Sequence, residues 1–216
     1  MRKLFVYFLW TLLAVTVLAT GVAYYAIDQG WIGYMPPIED LQNPINRFAT
    51  QIYSADGKII GTWNYNRENR VMVDYTKLSP SLVQALVATE DVRFYDHSGI
   101  DFYALGRAVV KRGLLGQKSA GGGSTITQQL AKQLYSEHAS STLERVLQKP
   151  IEWVIALKLE RNYTKDEIIT MYLNYFDFLH NAVGIKTASN VYFSKDPKDL
   201  TVDEAATLVG LCKNPS

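Results

Sequence analysis

The sequence predicts a mainly α-helical domain with a small N-terminal β-hairpin, preceded by one transmembrane helix. Three observations lead to this prediction. The stretch Leu4–Ile27 has no charged residue, Asp56-Gly57 separates two short β-forming segments, and successive helix starts at Ser141, Thr164 and Thr201 each have Glu three positions later. We therefore expect a cytoplasmic tip and anchor over 1–27, a connector over 28–48 and a helical domain over 49–216.

Charge and cysteine content exclude several classes of protein. The chain has 216 residues and a net charge of +1, so it lacks the strongly basic field that is typical of nucleic-acid-binding proteins. Its single cysteine, Cys212, can form neither an internal disulfide nor a cysteine-based zinc site. We interpret Cys212 as a small buried apolar residue.

The N-terminal segment has the pattern of a membrane span. Arg2-Lys3 precedes the uncharged stretch, which as a helix would be about 36 Å long against about 30 Å of hydrocarbon. The basic pair places the N-terminus in the cytoplasm and the rest of the chain outside. A cleaved signal peptide is the alternative, because Leu18-Ala19-Thr20-Gly21 offers small residues near a cleavage point. The length of the stretch and the aromatic residues Tyr24, Tyr25 and Trp31 favour the anchor.

A connector and a hairpin follow the anchor. Segment 28–48 contains repeated Gly and Pro and is too interrupted for a helix. Thr50–Tyr53 and Lys58–Trp63 flank the Asp-Gly turn, which predicts two antiparallel strands. Val71–Val73 is a candidate for a third short strand.

From Ser79 onward the pattern is helical. Ser79 is a typical N-cap, Pro80 takes the first helical position, and the helix should end near Glu90-Asp91. Five further helices are expected: from about Phe102 to Leu115, from Ser124 or Thr125, from Ser141 through Lys158 or beyond, from Thr164 through Leu173, and from Thr201 to just before Asn214-Pro215. A flexible loop is expected over Lys118–Gly123.

The end of the first domain helix offers a candidate proton acceptor. Glu90 and Asp91 point about 100° apart on a helix, so one can face a site while the other supports the turn. A solvated helix end is the commoner fate of such a pair. The residues that follow, Phe94, His97 and Gly99, favour a functional site, with His97 in an orienting role.

The segment Gly122–Lys132 is a candidate anion site. It is a turn rich in glycine and hydroxyl groups that opens a helix, and the free N–H groups of a helix start attract anions. Polar residues share one face of that helix: Thr125, Gln128, Gln129 and Lys132. A loop followed by an ordinary amphipathic helix is the alternative. The preceding Gly-Gln-Lys-Ser is not a P-loop, because it lacks the Gly-Lys-Ser/Thr core and a preceding strand.

Lys149 and Glu152 form the third candidate. They lie one helical turn apart, and Pro150 between them should kink the helix. Taken alone, they would be a surface ion pair worth about 0.3–0.5 kcal/mol. Taken with the other segments, they complete a set of two separated carboxylates around an anion-binding turn. Such a set suits chemistry on a phosphorylated leaving group.

These segments resemble the peptidoglycan glycosyltransferase family (family 51), over nearly everything after the anchor. The family comprises monofunctional glycosyltransferases and the N-terminal domains of class A penicillin-binding proteins. The matching motifs are Glu90–Asp101 with Arg107-Ala108, Gly122–Lys132, Lys149–Glu152, Glu167–Asn174 with Gly184-Ile185 and Tyr192-Phe193, and Leu200–Leu211 with Asn214-Pro215.

The resemblance implies a lysozyme-like helical fold with a membrane-facing subdomain, and an enzyme that joins lipid II into β-1,4-linked glycan strands with release of undecaprenyl pyrophosphate. Glu90 would be the general base for the acceptor 4-hydroxyl. Glu152 would act at the pyrophosphate, directly or through a divalent cation, Mg²⁺ or Mn²⁺. Asp91 and His97 would support them. The residues expected to bind substrate are Ser124, Thr125, Gln128, Gln129, Lys132, Lys149 and Arg107.

The resemblance also implies a cellular setting. The partners would be lipid II, the growing glycan chain, the membrane and other cell wall synthesis proteins, with no nucleic acid and no organic cofactor. The protein would be a single-pass protein of the bacterial inner membrane, with its catalytic domain on the periplasmic side. Because the chain stops inside the last motif, we expect a longer parent protein, in which a penicillin-binding transpeptidase domain could follow.

Two departures from the family pattern and two rival functions remain open at this point. Gln148 stands where the family usually has Arg, and Leu179–Asn181 stands where it usually has glycines. A lytic glycosidase of similar architecture would also use a helix-end glutamate, but it would not need the donor site at Gly122–Lys132. A membrane-tethered assembly factor would bind the lipid without turning it over, and Glu90 and Glu152 argue against it.

Overall fold

The part of the chain that the structure describes is mainly helical. The computed structural model describes residues 2–37, 50–57, 59–63, 71–114, 116, 122–135 and 142–213. Its α-helices are α1 (Arg2–Asp28), α2 (Pro80–Glu90), α3 (Phe102–Ala108), α4 (Ile126–Tyr135), α5 (Thr142–Asn162), α6 (Lys165–Tyr175), α7 (Ile185–Phe193) and α8 (Val202–Lys213). A π-helix, Val109–Leu114, directly follows α3. The prediction of a mainly helical chain with an apolar N-terminal helix is confirmed.

Two short strands lie ahead of the helical domain. Strand β1 (Thr50–Tyr53) pairs antiparallel with β2 (Ile59–Trp63), with a bulge next to Tyr53. The turn between them needs Gly57, whose φ is +79°.

The candidate third strand at Val71–Val73 is wrong, because these residues have no regular structure. The backbone N–H and C=O of Val73 are bonded instead by the Asn174 side chain, at 3.1 and 2.9 Å. A side-chain amide from α6 thus supplies the hydrogen bonds that a neighbouring strand would have provided.

Side-chain caps set where the helices begin. Ser79 Oγ accepts from the Leu82 N–H at the start of α2, and Thr164 and Glu167 form a complete capping box on α6. Thr201 and Glu204 bond each other's backbone N–H in the same way at α8. The predicted starts of these helices are confirmed. Ser141, the predicted cap of α5, lies outside the described residues.

Two helical segments differ from the prediction. The helix expected to run to Leu115 is α-helical only to Ala108 and continues as the π-helix. Helix α7 was not predicted, because it follows Gly184 at φ +80° and has no capping side chain to mark its start. The predicted loop at Lys118–Gly123 falls mostly outside the described residues, and its last two glycines have no regular structure.

The core is formed where the helices cross. Helix α2 packs against α8, and α4 packs against both α5 and α6. The largest fully buried side chains come from these helices and the loops between them: Tyr172, Phe94, Phe178, Leu82, Leu86, Ile126, Leu130, Ile155, Leu159, Ile168 and Ile169. Because α4 lies in the middle of this packing, its first turn is held firmly beside the end of α2.

Helix α1 is long and apolar enough to cross a membrane, with a length of about 40 Å at 1.5 Å per residue. Its apolar side chains are exposed except at its C-terminal end, where Ala26 and Ile27 are buried. There Asp28 Oδ1 lies 2.8 Å from Lys158 Nζ on α5. The end of α1 is therefore attached to the helical domain, and the exposed remainder is consistent with a membrane anchor.

The loop that departs from the family pattern has an unusual backbone. Leu179, His180 and Asn181 have φ values of 66°, 49° and 61°, which is the left-handed region that favours glycine. The loop is closed by hydrogen bonds from Phe178 N–H to Ala182 C=O (2.9 Å) and from Ala182 N–H to Leu179 C=O (2.7 Å). Each non-glycine residue in this region costs roughly 1–2 kcal/mol, which the loop's bonds and packing offset.

Substitutions at Leu179 should reveal this cost. We expect Leu179→Gly to match or exceed the wild-type melting temperature, because glycine adopts positive φ without strain. Leu179→Val should lower it by about 2–4 °C, since a β-branched side chain adds about 1 kcal/mol of strain there. Circular dichroism melts of the purified protein in detergent would measure both. A valine variant more stable than the glycine variant would contradict the prediction.

Candidate active site

Glu90 lies at the C-terminal end of α2, beside the first turn of α4. Its Oε2 accepts a hydrogen bond from Gln129 Nε2 at 2.8 Å. The Gln129 side chain is held in turn by Tyr172, whose hydroxyl donates to Gln129 Oε1 at 3.0 Å. The other oxygen, Glu90 Oε1, is buried and has no hydrogen-bond partner within the described residues. One oxygen of this carboxylate is therefore fixed, and the other is left to accept a proton or a donor from a ligand.

Asp91 has a different environment from its neighbour. It is buried, and its Oδ2 accepts the backbone N–H of Ile126 at 3.1 Å, at the start of α4. His97 Nε2 lies 3.0 Å from the same oxygen. An acid at this position satisfies a free N–H of the helix and complements its dipole. Asp91 and His97 therefore support the turn, while Glu90 faces a cavity.

A partly buried ionic cluster fixes the loop that carries His97. Lys165 Nζ donates to the His97 carbonyl at 2.6 Å and to Glu160 Oε1 at 2.8 Å. Thr127 Oγ1 donates to the same Glu160 oxygen at 2.6 Å, and the Lys165 ammonium lies 4.3 Å from the centre of the Phe94 ring. Sequence reasoning missed this cluster, because its residues are far apart in the chain and have no motif of their own.

A cavity of about 420 Å³ lies at the end of α2 and contains both acidic and basic groups. Its lining comes from α2, from α3 and the π-helix, from the start of α4 and from the end of α8: Ala88, Thr89, Glu90, Val92, Arg107, Ala108, Lys111, Gly122, Ser124, Gln129 and Lys213. Three cations and one carboxylate thus line the same cavity. Arg107, Ser124 and Gln129 were predicted as site residues, while Lys111 and Lys213 were not. A cavity of this kind can bind an anion and move a proton at the same time.

Lys149 and Glu152 are not the surface ion pair that their spacing alone would predict. The Glu152 side chain is only 3% exposed, and its Oε2 lies 2.6 Å from Lys149 Nζ. The same ammonium is 3.5 Å from Ser124 Oγ, which lines the cavity. Helix α5 continues past Pro150, so both residues stay on one helix. The buried carboxylate therefore holds a cation at the edge of the cavity.

Two predicted substrate-binding residues lie inside the protein instead. Thr125 and Gln128 are buried, and both donate to the Gly99 carbonyl, at 2.7 and 3.3 Å. Gly99 itself has φ +91°, and a Cβ there would come within 3.0 Å of the Ala156 carbonyl oxygen. These side chains therefore hold the 97–101 loop against α4 and α5, and neither is among the residues that line the cavity. Lys132 is exposed on α4 and is not among the residues that line the cavity.

The surroundings of Glu152 offer few ligands for a divalent cation. The described part of the chain has no cluster of three or more His, Cys, Asp or Glu side chains. Mg²⁺ commonly uses one or two carboxylates together with phosphates of the substrate. Glu152 is a single buried carboxylate whose Oε2 is paired with Lys149, so a divalent cation here would need phosphates of the substrate as its other ligands.

Comparison with known proteins decides the family. Residues 56–216 match the transglycosylase family. The chain belongs to the transglycosylase family. The transglycosylase domain is therefore an enzyme domain that transfers glycosyl groups.

Curated relatives of the transglycosylase domain are penicillin-binding proteins. It is 46% identical over 149 residues to penicillin-binding protein 1F of Bacillus subtilis (strain 168), covering 69% of this chain and 20% of that protein. Identity to penicillin-binding protein 2D of the same organism is 43% over 168 residues, or 78% and 23% of the two chains. Identity to penicillin-binding protein 1A of Escherichia coli (strain K12) is 38% over 183 residues, or 84% and 21%. The chain spans about a fifth of the length of these relatives.

The Lys149–Glu152 pair of the transglycosylase domain gives a stability prediction. Lys149→Met leaves the Glu152 carboxylate buried without its cation, so we expect a loss of about 1–3 kcal/mol. Adding Glu152→Gln removes the unpaired charge and should restore at least half of that loss. Thermal unfolding of the single and double variants would measure the coupling. Lys198→Met, at an exposed lysine, is the matched control, and a Lys149→Met variant that melts no lower than this control would refute the pairing.

Proposed function

We propose that the protein is a peptidoglycan glycosyltransferase that polymerises lipid II into β-1,4-linked glycan strands, with inversion and with release of undecaprenyl pyrophosphate. The observation that carries the proposal is the cavity in which Glu90, with one unmatched oxygen, faces cationic and hydroxyl groups from three other segments. Membership of the transglycosylase family and the penicillin-binding proteins among its relatives support the same activity.

Glu90 is the general base in this proposal. Gln129 holds Oε2, which leaves Oε1 to take the proton of the acceptor sugar's 4-hydroxyl. As that proton leaves, the hydroxyl oxygen forms a bond to the anomeric carbon of the donor. The bond from this carbon to the diphosphate breaks, and its electron pair leaves with the diphosphate. The configuration inverts, because the attacking and leaving oxygens lie on opposite faces of the sugar.

Cations that line the cavity stabilise the leaving diphosphate. Arg107, Lys111 and Lys213 line the cavity directly, and Lys149 reaches it beside Ser124. Fixed positive charge in a partly enclosed site stabilises negative charge as it develops on the leaving group. Glu152 contributes by holding Lys149 in place, and it would also be the protein ligand of any Mg²⁺ or Mn²⁺ that accompanies the diphosphate.

The surface beside the cavity suits a substrate with a lipid tail. Helix α3 and the π-helix present apolar side chains to solvent: Phe102, Tyr103, Val109 and Val110 are 73%, 69%, 59% and 47% exposed. Arg107 and Lys111 lie on the same segment and face the cavity. An apolar face next to phosphate-binding cations fits a membrane surface from which a lipid-linked diphosphate enters. With α1 spanning the inner membrane, the domain lies on its periplasmic side, where other cell wall synthesis proteins are its partners.

Glu90→Gln should abolish polymerisation, because the amide has nearly the same shape as the carboxylate but cannot accept the proton. We expect a fall of at least about 100-fold in the rate of glycan formation from lipid II. The melting temperature should change by no more than a few degrees. Asp203→Asn, at an exposed acid near the start of α8, is the matched control and should keep the wild-type rate. Normal polymerisation by Glu90→Gln would refute the base assignment.

The same assay separates the rival functions. Incubation with purified glycan strands should give no shorter fragments, and fragments would identify a lytic glycosidase. Binding of lipid II without any polymer, by the wild-type protein in detergent with Mg²⁺ present, would identify an assembly factor instead.

A further inference from the structure

We propose that Tyr172 is a positioning residue, which fixes the direction of the Gln129 amide and thereby keeps Glu90 able to accept a proton. The proposal rests on the function proposed above, because it takes Glu90 as the general base. It goes further by assigning a role to a fully buried side chain of α6, on the far side of Gln129 from the cavity.

Three side chains form a continuous hydrogen-bonded line from α6 to α2. The Tyr172 hydroxyl lies 3.0 Å from Gln129 Oε1, and Gln129 Nε2 lies 2.8 Å from Glu90 Oε2. Tyr172 has no exposed surface, and its ring packs against Phe176 with centroids 5.7 Å apart. The hydroxyl therefore has a fixed position, since rotation of a packed ring about its axis leaves the para oxygen in place.

The ionised form of Glu90 sets the direction of every bond in this line. A carboxylate can only accept, so the NH₂ end of the Gln129 amide must face it. The amide oxygen then faces Tyr172, which must donate. Burial, with smaller contributions from nearby Cys212 and Glu90, raises the pKa of Tyr172 far above its usual value. Tyr172 therefore keeps its proton and remains a donor throughout the working pH range.

Without the hydroxyl, the amide loses its preferred direction. A flipped Gln129 would place Oε1 against Glu90 Oε2. Two oxygens can share a hydrogen bond only when one of them carries a proton, so the flipped amide favours the protonated carboxyl. A carboxyl that is already protonated cannot accept the proton of the acceptor sugar. The role of Tyr172 is therefore to exclude this arrangement.

Of the other titratable groups around Glu90 on the described elements, Cys212 also shares a hydrogen bond with the Tyr172 hydroxyl. That bond lowers the pKa of Cys212, so its loss in Tyr172→Phe leaves the thiol neutral. The titratable groups around Glu90 on the described elements are Asp91 next to it, Arg107 and Lys111 on α3 and the π-helix, and Cys212 and Lys213 at the end of α8. Asp91 faces α4 and His97 rather than Gln129. Burial raises the pKa of Cys212 to about 12, so it stays a neutral thiol. A change in pH dependence caused by Tyr172→Phe thus reports on the line through Gln129.

The test is the pH–rate profile of lipid II polymerisation by the full chain in detergent. We expect Tyr172→Phe to move the acid limb of kcat/KM upward by about one pH unit, the equivalent of one hydrogen bond to a charged group. At pH values above the limb the variant should recover most of the wild-type rate. A purely structural role for Tyr172 predicts instead an equal loss at every pH, and that outcome would overturn the proposal.

Two further variants sharpen the result. Tyr192→Phe is the matched control, because it removes a phenol hydrogen bond to the Phe178 carbonyl (2.7 Å) at a residue that does not line the cavity. Its acid limb should not move. Gln129→Met removes the amide through which Tyr172 acts. In the Gln129→Met background, Tyr172→Phe should cause no additional shift, and a full additional shift would show that Tyr172 acts by another route.

An unstable Tyr172→Phe protein would not end the test. Trifluorotyrosine at 172 has nearly the same volume as tyrosine and is a stronger hydrogen-bond donor, so it should move the acid limb downward. An unmoved limb would overturn the proposal.

Failure of the proposed function can be told apart from failure of the positioning role. In that case the wild-type protein would form no polymer, or Glu90→Gln would remain active. The positioning role alone would be refuted if the wild-type protein polymerises, Glu90→Gln is inactive and the acid limb of Tyr172→Phe does not move.

Discussion

The bond between Asp91 and the first turn of α4 is the contact on which the site depends. It joins the end of one helix to the beginning of another, at 3.1 Å between Oδ2 and the Ile126 nitrogen. Glu90 precedes Asp91 by one residue, and Gln129 follows Ile126 by one turn, so this bond also sets the distance between them. Lys165 holds the loop that carries His97, by donating to the His97 carbonyl. The carboxylate that we propose as the general base is thus placed by its neighbour in sequence, whose side chain points elsewhere.

Features that depend on local sequence were predictable. Rules that act within a few residues account for the capped starts of α2, α6 and α8 and for the apolar N-terminal helix. They also account for the different orientations of Glu90 and Asp91. The three candidate segments were also recognisable, since their spacing within each segment is regular. The periodicity of the sequence does not show whether a polar helix face points into the cavity or into the core of the domain.

Features that depend on contacts between distant segments were not predictable. Thr125, just before α4, and Gln128, on α4, are polar residues that are nevertheless buried. Both donate to the Gly99 carbonyl, and these hydrogen bonds compensate for the loss of water. Lys213 joins the cavity only because α8 packs on α2, more than a hundred residues earlier in the chain. The spacing of Lys149 and Glu152 alone predicts a surface ion pair, whereas the Glu152 side chain is buried in the folded domain.

The attachment of α1 to α5 has a mechanical consequence. Lys158, which is paired with Asp28, is six residues from Glu152 on the same continuous helix, or about 9 Å along its axis. A membrane-spanning helix changes its tilt when the thickness of the surrounding bilayer changes. A tilt of the last turn of α1 would pull on α5 through this ion pair. Bilayer thickness would then affect the helix that carries Lys149 and Glu152, the residues proposed to act on the diphosphate.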